Sequence, residues 1–581
     1  MSKSIKVMLA TEGTYPFHRG GVSTWCDILI KCLSSVDFVV YSILMNPFVR
    51  QKFELPPRCK LVKVPLWGTE EPSEHLTDIP FSQVYLAKRR TNEEVVREHF
   101  LPLFRDMVEE ILSPLKSGKK LGRTLHEMYR YFREYDYHRT LKSQILWDAF
   151  KQMIIVRAQQ GQDGLEMPNI FDLIQSMGWI YRFFIVLNTP VPRVDVAHSA
   201  AAAICGIPCV LAKLESGTPF LLTEHGVYLR EQYISVARQN MSSYSKNFLI
   251  NLVTSVVKVS YDLADQVSPV CAYNSRWERE MGVPQERIKV IYNGVDPAVF
   301  AKTPPVLTPR SNPTVVTVAR VDPIKDMETL IRAAAIVREH IPDVRFIIYG
   351  SVSVPSYYEK CLNLRESLGL KETVIFAGHT DDVVSAYRSG DVVALSSISE
   401  AFPYSVIEAM MSGKAVVATD VGGVKEALEG CGLLVRPRKP EDLAAALIKL
   451  LLDDKLRATL ADEARNKALT YFSISRAIDL YLESYMTLYE RQGARMLVVD
   501  LRRWQVLYAQ RGYAFAEAGM WQKAIGQFRQ AIEVDVNSPA VPVLLVEISR
   551  AYNELGLFPQ AINELEKAEA MASVLERGLV A

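Results

Sequence analysis

The chain has 581 residues, a length that a typical domain size divides into three or four domains. Hydrophobic residues make up 49% of it and charged residues 23%, which supports large buried cores and argues against wholesale disorder. A net charge of +1 argues against nucleic acid or an acidic membrane as the main partner, and leaves room for a local basic pocket around a diphosphate.

The apolar stretch that ends at Leu9 is too short for the hydrophobic region of a secretion signal and lacks a small-residue cleavage site. Residues 5–10 form a nearly unbroken apolar run, suited to a strand buried on both faces. A loop with Gly13, Pro16, Gly20 and Gly21 follows. Ser23 then opens a helical pattern that puts Trp25, Ile28, Leu29, Cys32 and Leu33 on one face. Strand, glycine loop and helix in that order open a doubly wound fold. The run 36–44 reads as the next strand.

Between about 90 and 182 the period becomes helical, with many Arg, Glu, Tyr and Trp residues, and reads as an insertion in the first domain. Its aromatic residues Tyr129, Tyr131, Tyr135 and Trp147 suit helix packing, or stacking on sugars. Strand-like runs return at 194–197, 209–212 and 220–223, then a long helix over 242–265 and a strand over 266–271. The most apolar window, 194–214, is interrupted by Asp195, His198, Gly206, Pro208 and Lys213, so a buried strand and helix are expected there and no membrane span. Eight cysteines without paired CxxC spacing point to buried thiols and a reducing, cytoplasmic compartment.

A proline-rich segment, 301–313, divides the chain. Beyond it strands are expected at 314–319, 344–349, 373–377, 392–395, 415–419 and 433–435, alternating with helices. Such alternation means a parallel sheet covered on both faces. The expected layout is a first domain over 1–300, a second over 301–470, and a helix over 471–495 crossing back to the first. Residues 500–581 differ again. Gly512, Phe515, Gly519, Ala524, Phe528 and Ala531 sit at the offsets of a tetratricopeptide hairpin, and Gly556, Ala561, Leu565 and Ala568 repeat its second half. A pair of repeats is few for independent stability, so this tail is expected to meet a protein partner or a second copy of the chain.

The residues with chemical meaning gather in the second domain. Glu400 follows a strand and a small-residue loop, and Glu408 lies on the next helix, in Glu400-Ala-Phe-Pro-Tyr-Ser-Val-Ile-Glu408. A helix entrance at the carboxyl end of a parallel strand suits a diphosphate, and a carboxylate one or two turns in can receive sugar hydroxyls. Arg320 ends a strand and Lys325 follows five residues later, a planar fork and a point charge able to converge on two phosphates. The plainer reading of the pair is a salt bridge with Asp322 or Asp326. His225, at a strand end turned by Gly226, points toward the cleft; His198 is as readily structural as functional. Gly20 and Gly21 permit close backbone approach, or simply a turn. Asn293-Gly294 is a tight-turn signal that shapes the interdomain hinge.

These motifs, in this order, resemble family 4 glycosyltransferases of the GT-B fold. Gly20-Gly21-Val22, Asp195-Val-Ala-His198, Thr223-Glu-His225-Gly226, Tyr292-Asn-Gly-Val-Asp296-Pro, Val318-Ala-Arg320 with Lys325, the Glu400–Glu408 pair and Gly422-Gly423-Val424 carry the likeness over about residues 5–490. Thr11-Glu-Gly-Thr-Tyr-Pro, Thr-Glu-His-Gly-Val-Tyr with Arg230, Pro323-Ile-Lys325-Asp326 and Ser399-Glu400-Ala401 with Pro403 are more narrowly similar to the PelF branch, which makes exopolysaccharide from UDP-glucose.

The resemblance implies an α/β GT-B protein with two Rossmann-like domains facing a cleft, a helical insertion and an all-α tail. It implies a retaining transfer of a hexose from a nucleotide sugar to a saccharide acceptor. His225, Arg320, Lys325 and Glu400 would act on the reacting sugar and leaving diphosphate. Gly20, Gly21, His198, Phe402, Pro403, Tyr404 and Glu408 would complete the donor site, with Glu408 on the ribose. No cofactor is implied beyond the UDP-sugar, and no Asp-x-Asp pair offers a metal site. A sugar-nucleotide epimerase, or a non-catalytic scaffold acting through its helical tail, are the alternatives.

Overall fold

Twelve strands among the described residues carry the fold, most of them short, apolar and followed by a helix. In the computed structural model, which describes residues 5–45, 48–66, 80–161, 166–301, 312–517, 519–536 and 538–578, they form two six-stranded parallel sheets. The first contains β1 (Ile5–Glu12), β2 (Val36–Leu44), β3 (Lys60–Pro65), β4 (Val196–Ser199), β5 (Phe220–Glu224) and β6 (Gln266–Pro269), in the order β3-β2-β1-β4-β5-β6. The second contains β7 (Thr314–Val318), β8 (Arg345–Tyr349), β9 (Val374–Gly378), β10 (Val392–Leu395), β11 (Ala415–Thr419) and β12 (Leu433–Val435), in the order β12-β11-β10-β7-β8-β9. Both sheets follow one winding scheme. In each, the connections reverse direction beside the first strand, between β1 and β4 and between β7 and β10.

Central strands read as unbroken apolar runs because helices cover both faces: Val7, Met8, Leu9 and Ala10 of β1 have no exposed surface. One expected strand is a helix instead. Residues 209–212 lie within the helix Gly206–Ser216, with Pro208 in its first turn and Gly217 ending it at φ 69°. A short apolar run fits a buried helix as well as a buried strand, and these flanks decide for the helix. The window 194–214 is thus a strand followed by a helix. Another stretch, Ile170–Asn188, is the one among the described residues long and apolar enough to cross a membrane; its Leu173 and Ile180 are buried in the first domain's core.

The insertion is helical from Phe81–Arg90 through Ile170–Phe183 and shares one core with the first sheet. Tyr129 and Tyr131 are buried there and Tyr135 stacks on Tyr131 at 4.5 Å, so these rings pack helices. The segment expected as a linker falls, over 302–311, outside the described residues.

Beside the second domain the chain crosses itself. Val295 donates its amide to Phe472 and accepts one from Ile474. A Cβ on Gly294 would lie 2.5 Å from the Ser473 carbonyl oxygen, so this glycine serves close backbone contact and not a left-handed turn. Tyr292, Phe402 and Phe472 form an aromatic cluster with centroids 5.1–5.4 Å apart. Glu426 closes the hinge: its carboxylate accepts the amides of Ala272 at 2.8 Å and Tyr273 at 2.5 Å and the Tyr292 hydroxyl at 3.1 Å. The helix Ile474–Glu517 then lays Tyr481 and Tyr485 against the first sheet, where they meet Thr223 and His198.

Residues Tyr489–Ala581 form a separate helical unit. Within it the helices Trp521–Val534, Val541–Glu554 and Phe558–Gly578 pack in sequence. A Cβ on Gly512 would lie 2.5 Å from the Phe528 ring, and Ala524 and Ala531 are fully buried, so small residues set the approach of the helices. Gly519 and Gly556 take φ of 67° and 72° in the turns that precede the second and fourth helical stretches.

Candidate functional site

Reversal points of open parallel sheets leave a crevice beyond the carboxyl ends of the strands, and ligands bind there. In the second sheet this crevice collects Arg320 and Lys325 after β7 and Ser396 through Glu400 after β10. Lys325 lies at the end of a short 3-10 turn, Pro323–Lys325, whose next residue, Asp326, takes a left-handed φ of 49°. A non-glycine residue there is strained, and it is held because its carboxylate caps the following helix through Thr329. Asp322 likewise caps the turn at Ile324. Both aspartates are therefore occupied, and Lys325 pairs with Glu400 instead, Nζ to Oε1 at 2.5 Å. Ser397 donates to the same oxygen at 2.6 Å. Arg320 is exposed at the rim, donating to Ser353.

Glu408 lies on the helix Tyr404–Met411 and accepts the Tyr387 hydroxyl at 2.9 Å; burial raises its carboxyl above the usual range. Behind Glu400 the glycine loop acts as support. Gly423 donates to the Ala401 carbonyl at 2.7 Å, and Gly422, at φ 59°, has no room for a side chain against the Glu400 carbonyl. Of the aromatic stretch, Phe402 is enclosed in the hinge cluster with its carbonyl on Asn293, and Pro403 is buried at the helix entrance. Tyr404 reaches across the cleft, where its ring would touch a Cβ on Gly21 at 3.6 Å. Gly20 caps the helix Gly21–Cys32 in an extended conformation. Arg230 makes another cross-cleft contact, its guanidinium donating to Ser399 at 2.7 Å.

The two histidines part company. His198 is fully buried, with Nδ1 on Tyr485 and Nε2 on Thr223, and burial pushes its imidazole down to about 3. Both nitrogens are engaged inside the core, so the structure does not bring His198 to the cleft. His225 stands at the end of β5 with its ring 4.5 Å from Trp25 and its Nε2 buried without a partner. Burial lowers its imidazole to about 3, which keeps it neutral. His379 lies at the surface beside Asp381.

Several groups had no role assigned from the sequence, although Glu12 and Glu224 lie within its motifs. Tyr387 and Ser397 orient Glu408 and Glu400 from 21 and 3 residues away, and no motif marks such support. Glu12 closes β1 with a carboxylate after an apolar run, a signal visible in hindsight. Glu224, preceding His225, is fully buried, takes the Tyr261 hydroxyl at 2.6 Å and faces Glu278, also fully buried. Burial raises both carboxyls, and the charge of Glu224 raises Glu278 further.

Two facing α/β domains with this winding define a GT-B fold. Solved structures agree at the level of fold. Sucrose-phosphate synthase of Thermosynechococcus elongatus superposes with a TM-score of 0.52 at 19% identity, over 84% of this chain and all of that one. HepE of Anabaena, solved with UDP, gives 0.50 at 17% over 83% of this chain and all of that one. Residues 301–467 match the model of glycosyl transferases group 1. Residues 5–286 match a domain of unknown function, DUF3492. D-inositol 3-phosphate glycosyltransferase of Rhodococcus opacus is 35% identical over 223 residues, 36% of this chain and 49% of that protein. An uncharacterized glycosyltransferase of Methanocaldococcus jannaschii, MJ1607, is 25% identical over 339 residues, 55% of this chain and 76% of that protein. The chain spans about half the length of the inositol phosphate enzymes that it matches.

Proposed function

We propose that the chain is a retaining glycosyltransferase that moves glucose from UDP-glucose to a saccharide hydroxyl, as in the PelF branch that its motifs resemble. The observation that carries this is the Lys325–Glu400 pair with Glu408 behind it, at the reversal point of the second sheet and across the cleft from Gly21. In this reading Arg320 and Lys325 hold the diphosphate and stabilise the charge that grows on it. Glu400 receives hydroxyls of the transferred sugar, Glu408 the ribose hydroxyls, and neutral His225 contacts the sugar near its reacting carbon. Gly20, Gly21, Pro403 and Tyr404 shape the donor cavity. The acceptor oxygen bonds to the anomeric carbon as the bond to the diphosphate breaks, and the hydroxyl proton passes to the departing phosphate. Solved complexes of HepE with UDP, and with UDP and glucose, give this fold a matching precedent.

The cationic side chains and the helix entrance at Tyr404 would do the work of a metal, so the activity is metal-independent in this proposal. The tail serves as a tetratricopeptide-like module for a protein partner or a second copy, supported by exposed Val543, Val546, Phe558, Ile562 and Leu565. The expected setting is cytoplasmic. A panel of nucleotide sugars, scored by released nucleotide and by product mass, tests the reading. Release of UDP with an acceptor heavier by one hexose supports it; an epimerised nucleotide sugar without transfer overturns it.

A further inference from the structure

The first sheet has its own reversal point, between β1 and β4, and a cavity of about 280 Å³ opens there. Glu12 reaches it from the end of β1 and Thr14 from the loop after it, and His225, Tyr228 and Glu231 from beyond β5. The run of alanines after His198 forms its floor, and small side chains there leave the space open. Three polar atoms bordering it are buried without a partner: Glu12 Oε2, Thr14 Oγ1 and His225 Nε2. Buried polar atoms are nearly always satisfied, so orphans around one cavity point to a ligand that brings its own donors and acceptors.

The charge of the lining limits what that ligand can be. It includes two carboxyls, Glu12 and Glu231, and no lysine or arginine. Arg230, next in the chain to Glu231, is turned to Ser399 across the cleft. Burial raises Glu12 to about 7 against the pull of the Cys205 and Ile204 amides and the Tyr228 hydroxyl, so near neutrality it both donates and accepts. Burial raises Glu231 as well.

We infer that this crevice is the acceptor subsite and that Glu12 and Glu231 select an uncharged polyol, a sugar with free hydroxyls and no phosphate or carboxylate on the bound unit. The inference rests on the glycosyl-transfer reading above. Acceptor hydroxyls satisfy Glu12 and Thr14 and leave His225 to the transferred sugar, whereas an anionic group would be buried there with no cation to receive it. The subsite therefore differs in charge preference from one that must hold an inositol phosphate.

The full chain, given the donor that the nucleotide-sugar panel selects, is offered glucose, maltose and cellobiose beside glucose 6-phosphate, glucuronic acid and inositol 3-phosphate. Released nucleotide above the water background and product mass are read. Neutral sugars should exceed their anionic counterparts by about tenfold or more in kcat/KM, because a buried anion without a cation is costly. Glu12→Gln and Glu12→Ala should raise the acceptor KM with nucleotide affinity within about twofold, because only acceptor hydroxyls lose a partner. Preference for an anionic acceptor, no stimulation by any neutral one, or an acceptor KM unmoved in both variants overturns the assignment. A chain that neither binds UDP nor releases nucleotide from any donor ends the glycosyl-transfer reading itself, which is a separate result.

Discussion

Lys325 Nζ and Glu400 Oε1 lie 2.5 Å apart, and Ser397 donates to the same carboxylate oxygen. A cation proposed for the phosphate and a carboxylate proposed for the sugar thus hold each other in place before either meets a ligand. Donor binding must then redirect the ammonium toward the diphosphate while the serine keeps Glu400 oriented. Lys325→Ala should lower kcat about 100-fold or more with the protein still folded, because charge stabilisation counts most in the transition state. Unchanged turnover in a soluble variant would remove Lys325 from the phosphate site.

Glu408→Ala should act on binding. A lost charge-assisted hydrogen bond to ribose is worth roughly 1.5–3 kcal/mol, about a tenfold to hundredfold weaker UDP complex by calorimetry. Tyr387→Phe, which removes only the hydroxyl that orients Glu408, should weaken UDP less. Equal UDP affinity in wild type and Glu408→Ala would contradict the ribose role.

Glu224 and Glu278 give the fold a pH dependence. Both carboxyls are raised, so the folded protein binds a proton that the unfolded chain gives up near the ordinary carboxylate value of about 4.3. Their contribution is fullest below that value and is lost as pH rises through the raised folded values. The melting temperature should therefore fall between neutral and alkaline pH, and fall less in Glu278→Gln, whose amide can donate to Glu224 without titrating. Parallel curves for the two proteins would remove Glu278 from this pH dependence.

Gly294→Ala should destabilise the crossing of the two backbone segments, since the added carbon meets the Ser473 carbonyl. The expected cost is about 1–3 kcal/mol, the range for overpacking, seen as a lower melting temperature. No change would mean that the segments separate freely.

Metal independence has a direct assay. Initial rates should be the same with EDTA as with added magnesium or manganese; loss in EDTA and recovery with either ion would refute the proposed division of labour.

Most of the architecture could be read from residue order because both sheets are buried on both faces, which makes β1, β5 and β10 plain apolar runs. Lys60–Pro65 was missed, since an edge strand with two lysines has a weaker signal, and 209–212 was misread for want of length. At the site, Arg320, Lys325, Glu400 and Glu408 stand out by type and spacing. What each one touches does not: the Lys325–Glu400 pair spans 75 residues, and His198 is turned inward by Tyr485, 287 residues away. Such contacts depend on how the layers stack, which local pattern does not encode.

Glu426 bears on how the cleft works. One carboxylate takes two successive amides of the first domain and the Tyr292 hydroxyl, fastening the second domain beside the Asn293–Phe402 contact. In a swing about that joint, groups far from it would sweep the widest arc. Arg19 and Asp381, which meet across the two domains at the surface, would part early in such a swing, with the Arg230–Ser399 contact nearer the reacting groups acting as a second catch. Glu400 and Glu408, carried on the same domain as Glu426, would travel together in such a swing.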